Sequence, residues 1–343
     1  MAEVSAATQM GKIRSFEKGF VAMHLVNLGA KLGFLEALNN AKEGMTAADL
    51  AASLGLHEPY VTIWCQTAYH FEILDCDDKG RFVLQPFMDE VLGDTKNPRN
   101  YLANIALDVD HLGRMLTGGV GYFKTGSRTP FFDSPERSAA GYAVTKNMAL
   151  VFQFMIFPKH EYLKQSLEQG IRCLDIGCGD GALMIGLAKA FPNSTFVGVN
   201  PDRYGIEAAK SRVSKLGLDQ RVSVENMGGQ DLPYKNEFDI ATLVVTLHEI
   251  FLEVRTEVVE RAYEALNPGG RIVILDLLYP SKLEDFRDPM YDFGIMDQFY
   301  ETCMGTVHFN SSEQDALLVN AGFKDIQRSY VGKGMFELIV AAK

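Results

Sequence analysis

A glycine-rich loop between a strand and a helix constrains the fold of this chain more than any other segment. The apolar run 171–176 predicts a buried strand, the run 182–191 predicts a helix, and Gly177, Gly179 and Gly181 stand between them. Glycines at this spacing let the backbone turn sharply and let a ligand lie against bare main chain. The helix N-terminus adds unpaired N–H groups that face such a ligand. The loop therefore predicts a doubly wound α/β sheet that holds a nucleoside-type cofactor.

The spacing of these glycines distinguishes between cofactors. A dinucleotide fingerprint reads G-x-G-x-x-G and is followed about 20 residues later by an acidic residue. Here the third glycine comes one residue early, Asp175 precedes the first, and the next strand (195–199) is followed by Asn200. An NAD enzyme is therefore disfavoured. The pattern D-x-G-x-G-x-G resembles the cofactor loop of class I S-adenosylmethionine (SAM) methyltransferases.

Length, charge and cysteine content exclude several other classes. A chain of 343 residues exceeds a single hydrophobic core, so two domains are expected. The net charge of −11 argues against a nucleic-acid partner and against membrane binding through a basic helix. No signal-type apolar region opens the sequence, and no run of about 18 apolar residues occurs in it. The five scattered cysteines predict reduced thiols without disulfides or a zinc site. We therefore expect a cytoplasmic protein.

Residues 1–95 predict a mainly helical domain that ends in a hairpin. Apolar faces recur through 12–41, helices are predicted over 46–54 and 60–71, and two short strands (73–76 and 81–84) flank a turn. This order is typical of a winged helix-turn-helix. A DNA-binding helix needs basic side chains, whereas the segment 60–71 has no Lys or Arg. We therefore expect a protein partner for its apolar face.

The rest of the chain predicts a helical linker over 96–165 and a cofactor-binding domain over 166–343. Apolar strands alternate with helices in the second of these, which predicts a mostly parallel sheet covered on both faces. The predicted strands are 173–176, 195–199, 222–225, 240–246, 271–275 and 338–341. Apolar side chains of the linker and of the C-terminal half predict the lining of an acceptor pocket, since pockets form at domain junctions. The candidates are Tyr142, Met148, Phe152, Met290, Phe293 and Met304.

A histidine follows the fourth predicted strand of this sheet. Ligands bind at the carboxyl ends of parallel strands, so His248 is expected in the active-site crevice. Its pKa near neutrality suits proton removal from an acceptor hydroxyl. Asp276, at the end of the next strand, or the adjacent Glu249 could orient the imidazole.

With these residues the sequence resembles the plant-type small-molecule O-methyltransferases, which include caffeate and hydroxyindole O-methyltransferases. The resemblance covers nearly the whole chain and implies a Rossmann-like catalytic domain after a winged-helix dimerisation domain, hence a homodimer. It implies SAM as cofactor, S-adenosylhomocysteine as product and a small, aromatic or polyketide-like acceptor. In this family a histidine is the base and a carboxylate 28 residues later is its partner, and 276 − 248 = 28. The resemblance also places Asn200 or Asp202 at the ribose and Met227, Gln230 and Asp231 near the adenine.

Three positions depart from the pattern of the family. Ile250 stands where the family has a tryptophan, Asn200 replaces the usual acid, and His308 corresponds best to a second supporting glutamate. His308 could therefore contact substrate, bind a metal together with His248, or have no special role; no metal is expected. The departures leave open a carbon or nitrogen acceptor, other SAM chemistry on the same scaffold, and a non-catalytic SAM-binding regulatory protein.

Overall fold

The computed structural model describes residues 4–343. The chain divides into two compact units, one that ends at Arg114 and one that comprises Met115–Lys343. The functional division expected from sequence, with boundaries after residues 95 and 165, stays a prediction.

The N-terminal unit is helical and carries one antiparallel hairpin. Its helices are α1 (Ala6–Lys31), α2 (Phe34–Asn40), α3 (Ala47–Leu54), α4 (Glu58–His70) and α5 (Leu102–Leu107), and its strands are β1 (Leu74–Cys76) and β2 (Phe82–Leu84). Two π-helical turns, Asp89–Gly93 and Asp108–Leu112, lie beside α5 in sequence. Trp64 of α4 is buried in the core of this unit and donates its indole N–H to the Leu25 carbonyl at 2.9 Å. The helices and the hairpin follow the order that the sequence predicts.

From residue 113 onward, a series of helices leads to a sheet whose strands are connected largely by further helices. The helices are α6 (Gly113–Leu116), α7 (Gly119–Thr125), α8 (Pro135–Thr145), α9 (Met148–Val151), α10 (Glu161–Gln169), α11 (Ala182–Ala190), α12 (Arg203–Lys215), α13 (Leu252–Ala265), α14 (Asp292–Met304) and α15 (Ser311–Ala321). The strands are β3 (Arg172–Ile176), β4 (Thr195–Val199), β5 (Val222–Glu225), β6 (Phe238–Val244), β7 (Leu266–Leu277), β8 (Lys324–Val331) and β9 (Phe336–Ala342). Short helical turns cover Phe152–Ile156, Gly229–Asp231, Leu283–Arg287, Pro289–Tyr291 and Gly332–Gly334.

The seven strands β3–β9 form a sheet in the order β5-β4-β3-β6-β7-β9-β8. Neighbours from β5 to β7 are parallel, whereas β9 is antiparallel to both β7 and β8. Side chains alternate between two apolar layers: Leu174 of β3 packs in the layer of α13 and α15, and Cys173 packs in the layer of α11 and α12. The parallel strands therefore end together at one edge, where the candidate site lies.

Within residues 4–343, no single helix combines the length and apolar content needed to cross a membrane. Among the described residues, only α1 and α2 taken together, with a bend of 69° between them, have the length and apolar content that a membrane span needs.

Candidate active site

The turn from β3 to α11 needs glycine for two physical reasons. Gly177, Gly179 and Gly181 have φ angles of 77°, 55° and 77°, in the left-handed region that favours glycine. A Cβ on Gly177 would collide with the Thr246 side chain, and one on Gly179 would come within 2.7 Å of the Tyr142 ring. The three glycines therefore form the sharp turn between β3 and α11 that the sequence predicts, and their role in cofactor binding stays a prediction.

Asp175 belongs to the buried end of β3. Its side chain is 5% exposed, and its Oδ1 accepts a hydrogen bond from Thr242 Oγ1 of β6 at 2.6 Å. Burial raises the pKa of Asp175 to about 7. The carboxylate thus lies beneath the glycine loop and ties β3 to β6.

The two candidates for the ribose lie together at the start of α12. Asp202 is the N-cap of that helix, where its carboxylate accepts from the N–H groups of Tyr204 and Gly205 at 2.9 and 3.0 Å. Tyr142 of α8 donates to Asp202 at 2.8 Å, and Asn200 donates to the Tyr142 hydroxyl at 3.1 Å. Tyr142, predicted to line the acceptor pocket, thus lies against the glycine loop and both ribose candidates.

The predicted adenine residues lie in and beside the turn Gly229–Asp231. Gln230 donates to the exposed Asp231 carboxylate at 2.8 Å, and the half-buried Met227 packs against the α13 layer. Their predicted role stays a prediction.

His248 and Asp276 form a buried pair at the carboxyl ends of β6 and β7. Nδ1 of His248 lies 2.5 Å from Asp276 Oδ1, and the backbone N–H of His248 donates to Asp276 Oδ2 at 3.1 Å. The two side chains are each 3% exposed. Val245, in the turn that carries His248, has a φ of 52°, an outlier for a β-branched residue. A strained turn therefore brings the histidine to the carboxylate that the sequence predicts as its partner.

Arg255 of α13 fixes the same turn from behind. It is 1% exposed, and its guanidinium donates to the carbonyls of His248 at 2.9 Å and Ile250 at 2.7 Å. It also lies 4.4 Å from the centre of the Phe309 ring. This positioning role is not predictable from the sequence, since nothing in the local pattern connects Arg255 to the strand end.

Two further acidic side chains reach His248 from α14. Asp297 Oδ2 lies 3.6 Å from Nε2 of His248 and 2.8 Å from Nε2 of His308. Glu301 is 4% exposed and accepts a hydrogen bond from the Thr306 hydroxyl. Neither residue was predicted, although their spacing of four places both on one face of a helix.

The rings of His248 and His308 are stacked, with centroids 4.3 Å apart and planes 14° from parallel. Donor atoms of these two residues and of Asp297 lie within 4.8 Å of one another. Because the stacked rings lie in separate, nearly parallel planes, their in-plane lone pairs run side by side and do not converge on one ion. The hydrogen bonds from His248 to Asp276 and from His308 to Asp297 therefore hold the cluster together.

The pKa values in this cluster depend on one another. Burial alone would lower the pKa of His248, but the carboxylates of Asp276, Asp297 and Glu301 raise it well above its usual value. Burial would raise the pKa of Asp276, yet the charge of His248 lowers it. Desolvation by the surrounding protein, together with the neighbouring carboxylates, raises the pKa of Glu249 to about 7 and that of Glu301 to about 8.

Glu249 differs from the other members because its side chain is accessible to solvent. The surrounding protein and the nearby carboxylates desolvate and repel its charge nonetheless.

In His308 the pKa shifts in the opposite direction: burial and the charge of His248 lower the pKa of its imidazole.

The other predicted pocket residues lie in two separate places. Met148 and Phe152 are buried in the apolar layer of α11. Met290, Phe293 and Met304 lie half-buried or exposed along the turn before α14 and α14 itself, the helix that carries Asp297. Their contact with an acceptor stays a prediction.

Comparisons with known proteins bear on the domain and on the fold. Residues 173–270 match the family described as Methyltransferase domain. The chain is similar to the 27-O-demethylrifamycin SV methyltransferase of Amycolatopsis mediterranei, at 37% identity over 118 residues, 34% of this chain and 42% of that protein. It is also similar to a sterol 4-C-methyltransferase of Caenorhabditis elegans, at 27% identity over 156 residues, 45% of each protein. The chain thus spans less than half the length of these curated relatives.

The fold of the whole chain is similar to that of a solved structure. Human N-acetylserotonin methyltransferase, solved in complex with SAM, matches 100% of this chain and 99% of its own, with a TM-score of 0.79 and 16% identity. The predicted Rossmann-like sheet after a mainly helical N-terminal region is confirmed, and so is the predicted methyltransferase domain. Residues 173–270 are a methyltransferase domain, within a chain that has the fold of N-acetylserotonin methyltransferase.

Proposed function

We propose that this protein is a SAM-dependent methyltransferase that acts on a hydroxyl group of a small acceptor, with His248 as the general base. The methyltransferase domain supports the reaction class, and relatives that use SAM share the fold. The observation that carries the proposal is the His248–Asp276 pair at the strand ends, 2.5 Å apart.

The residues around the glycine loop fit a nucleoside cofactor. Glycine is needed there because a Cβ at Gly177 would collide with Thr246 and one at Gly179 with the Tyr142 ring, so the main chain of the loop stays bare. Asn200 and Asp202 offer polar groups for a ribose, and Met227, Gln230 and Asp231 are the candidates for the adenine. When bound, SAM supplies an activated methyl group to the acceptor oxygen.

The protein's own part in this chemistry is proton removal and orientation. Asp276 holds Nδ1 of His248, which fixes the ring and stabilises its charged form. Nε2 is then the nitrogen that takes the acceptor proton, a contribution of roughly 10²- to 10⁴-fold in rate. Because neighbouring carboxylates raise the pKa of His248, its neutral form, which acts as the base, is populated only at a higher pH than that of an ordinary histidine.

Methylation of carbon is the second candidate, because one curated relative is named as a sterol 4-C-methyltransferase. His248 would then remove a proton from carbon or from an adjoining hydroxyl. The mass and the methyl position of the product distinguish the two reactions.

The N-terminal helix supports a homodimer. Apolar residues along α1 are exposed, and such surfaces mark sites of association. They are Met10, Ile13, Phe16, Phe20, Val21 and Leu28. We propose a second copy of this chain as the partner, and a cytoplasmic location remains part of the proposal.

Calorimetric titration with S-adenosylhomocysteine tests the cofactor without knowledge of the acceptor. We expect micromolar binding by the wild type and a large loss in Gly179→Ala, because the added Cβ would collide with the Tyr142 ring and displace it from Asn200 and Asp202. Gly217→Ala is the matched control, since Gly217 has a similar φ of 66° but no atoms within 4 Å of an added Cβ. Absence of binding by folded wild-type protein would refute the assignment.

A further inference from the structure

Asp297 stands beside the reactive nitrogen of His248 without being bonded to it. Its Oδ2 lies 3.6 Å from Nε2 of His248, too far for a hydrogen bond, and 2.8 Å from Nε2 of His308, a normal one. The carboxylate is therefore held by His308, and Nε2 of His248 remains open to an acceptor.

The direction of that hydrogen bond follows from the groups involved. A carboxylate only accepts, so Nε2 of His308 carries the hydrogen and donates it to Asp297. The His308 ring is fixed on both sides, because it stacks on His248 and lies 5.6 Å from the Tyr279 ring, with planes 20° apart. The backbone N–H of His308 also donates to Gln298 Oε1 at 2.6 Å. A rigid donor thus aims the Asp297 carboxylate at His248.

Resting on the proposed function, we propose that Asp297 and His308 are positioning residues for the base. His308 holds the Asp297 carboxylate where it becomes a second counter-ion of His248 after that ring has taken up a proton. In this step the acceptor O–H bond breaks, an N–H bond forms at Nε2 of His248, and the electron pair stays on the acceptor oxygen. The imidazolium then faces Asp276 at Nδ1 and Asp297 at Nε2.

Other charged groups also face His248, and each lies on a different part of the fold. They are Asp276 on β7, Glu249 in the turn of His248, Glu301 on α14, Arg255 on α13 and His308 before α15. All of them remain when Asp297 alone is changed. The Asp297→Asn variant therefore isolates one negative charge at nearly constant shape.

The test is an NMR titration of protein with ¹³C-labelled histidine, in which the His248 signal is assigned by its loss in His248→Asn. We expect Asp297→Asn to lower the pKa of His248 by on the order of one unit, because an opposite charge at this range favours the charged form. His308→Leu should shift it in the same direction, since the carboxylate loses its donor. His308→Gln, whose Nε2 can donate in place of the ring nitrogen, should keep the wild-type value.

Asp292→Asn provides the matched control, because Asp292 lies exposed in the first turn of the same helix. An unchanged His248 pKa in Asp297→Asn overturns the proposal. So does tight Zn²⁺ binding by the wild type that is lost in Asp297→Asn, because the three side chains would then be metal ligands.

An acceptor, once identified, adds a kinetic readout. The acid limb of kcat/KM should move to lower pH in Asp297→Asn, whereas an equal loss at every pH would show a merely structural role and overturn the proposal. The NMR titration does not depend on turnover. A failure of S-adenosylhomocysteine binding would therefore count against the proposed function alone.

Discussion

At the scale of single residues, His248 can be changed without leaving Asp276 unpaired. In His248→Asn the amide nitrogen can replace Nδ1 as the donor to Asp276, but nothing replaces Nε2. We expect turnover to fall by roughly 10²- to 10⁴-fold, because general-base catalysis is lost. Binding of S-adenosylhomocysteine, measured by calorimetry, should be unchanged. Loss of that binding would mean that His248 is structural.

Asp175 predicts a pH-dependent stability. Burial raises its pKa from 3.8 to about 7 in the folded protein, so folding favours the protonated acid. The stability that this group contributes is therefore fully present below pH 3.8 and is lost as the pH rises through about 7. Asp175→Asn removes this dependence, and its urea midpoint should exceed that of the wild type at pH 8 more than at pH 5.

Asp78→Asn is the control for this measurement, because Asp78 lies in an exposed turn. Equal pH dependence of the wild type and Asp175→Asn would show that the buried carboxylate stays charged. The bond to Thr242 Oγ1, which favours the charged form, would then outweigh burial.

At the scale of elements, α8 is tied to the start of α12 by one tyrosine. The Tyr142 hydroxyl bonds to both Asn200 and Asp202, the groups that a ribose would use. We expect Tyr142→Phe to strengthen S-adenosylhomocysteine binding by roughly 0.5–1.5 kcal/mol, the value of one hydrogen bond that the ligand no longer displaces. Calorimetry measures the change.

A weaker affinity in Tyr142→Phe would instead show that the hydroxyl contacts the cofactor. The Tyr234 hydroxyl, which donates to Glu225 at 2.6 Å on β5, supplies a matched control as Tyr234→Phe.

At the scale of the whole molecule, the sequence predicts the features that follow from the parallel strands: their positions and the residues that meet at their carboxyl ends. Apolar runs predict β3 to β7, and because the carboxyl ends of these strands meet, the sequence alone pairs His248 with Asp276. The edge strand β8 was missed because its residues are mostly polar and half-exposed. Asp297 was missed because no strand end carries it; it reaches His248 only through the packing of α14, which local sequence does not encode.

The exposed face of α1 should determine the oligomeric state of the protein. Ile13, Phe16 and Phe20 are 60%, 59% and 66% exposed and recur at helical spacing, so they form one apolar stripe. Burial of such a stripe between two copies is favourable because it removes apolar surface from water. We expect light scattering to give twice the chain mass of 38.0 kDa for the wild type and the single mass for the double variant Phe16→Ser/Phe20→Ser. Leu283→Ser, a change at an 82% exposed residue outside α1, should remain dimeric. A monomeric wild type would remove the second copy as the partner of this helix.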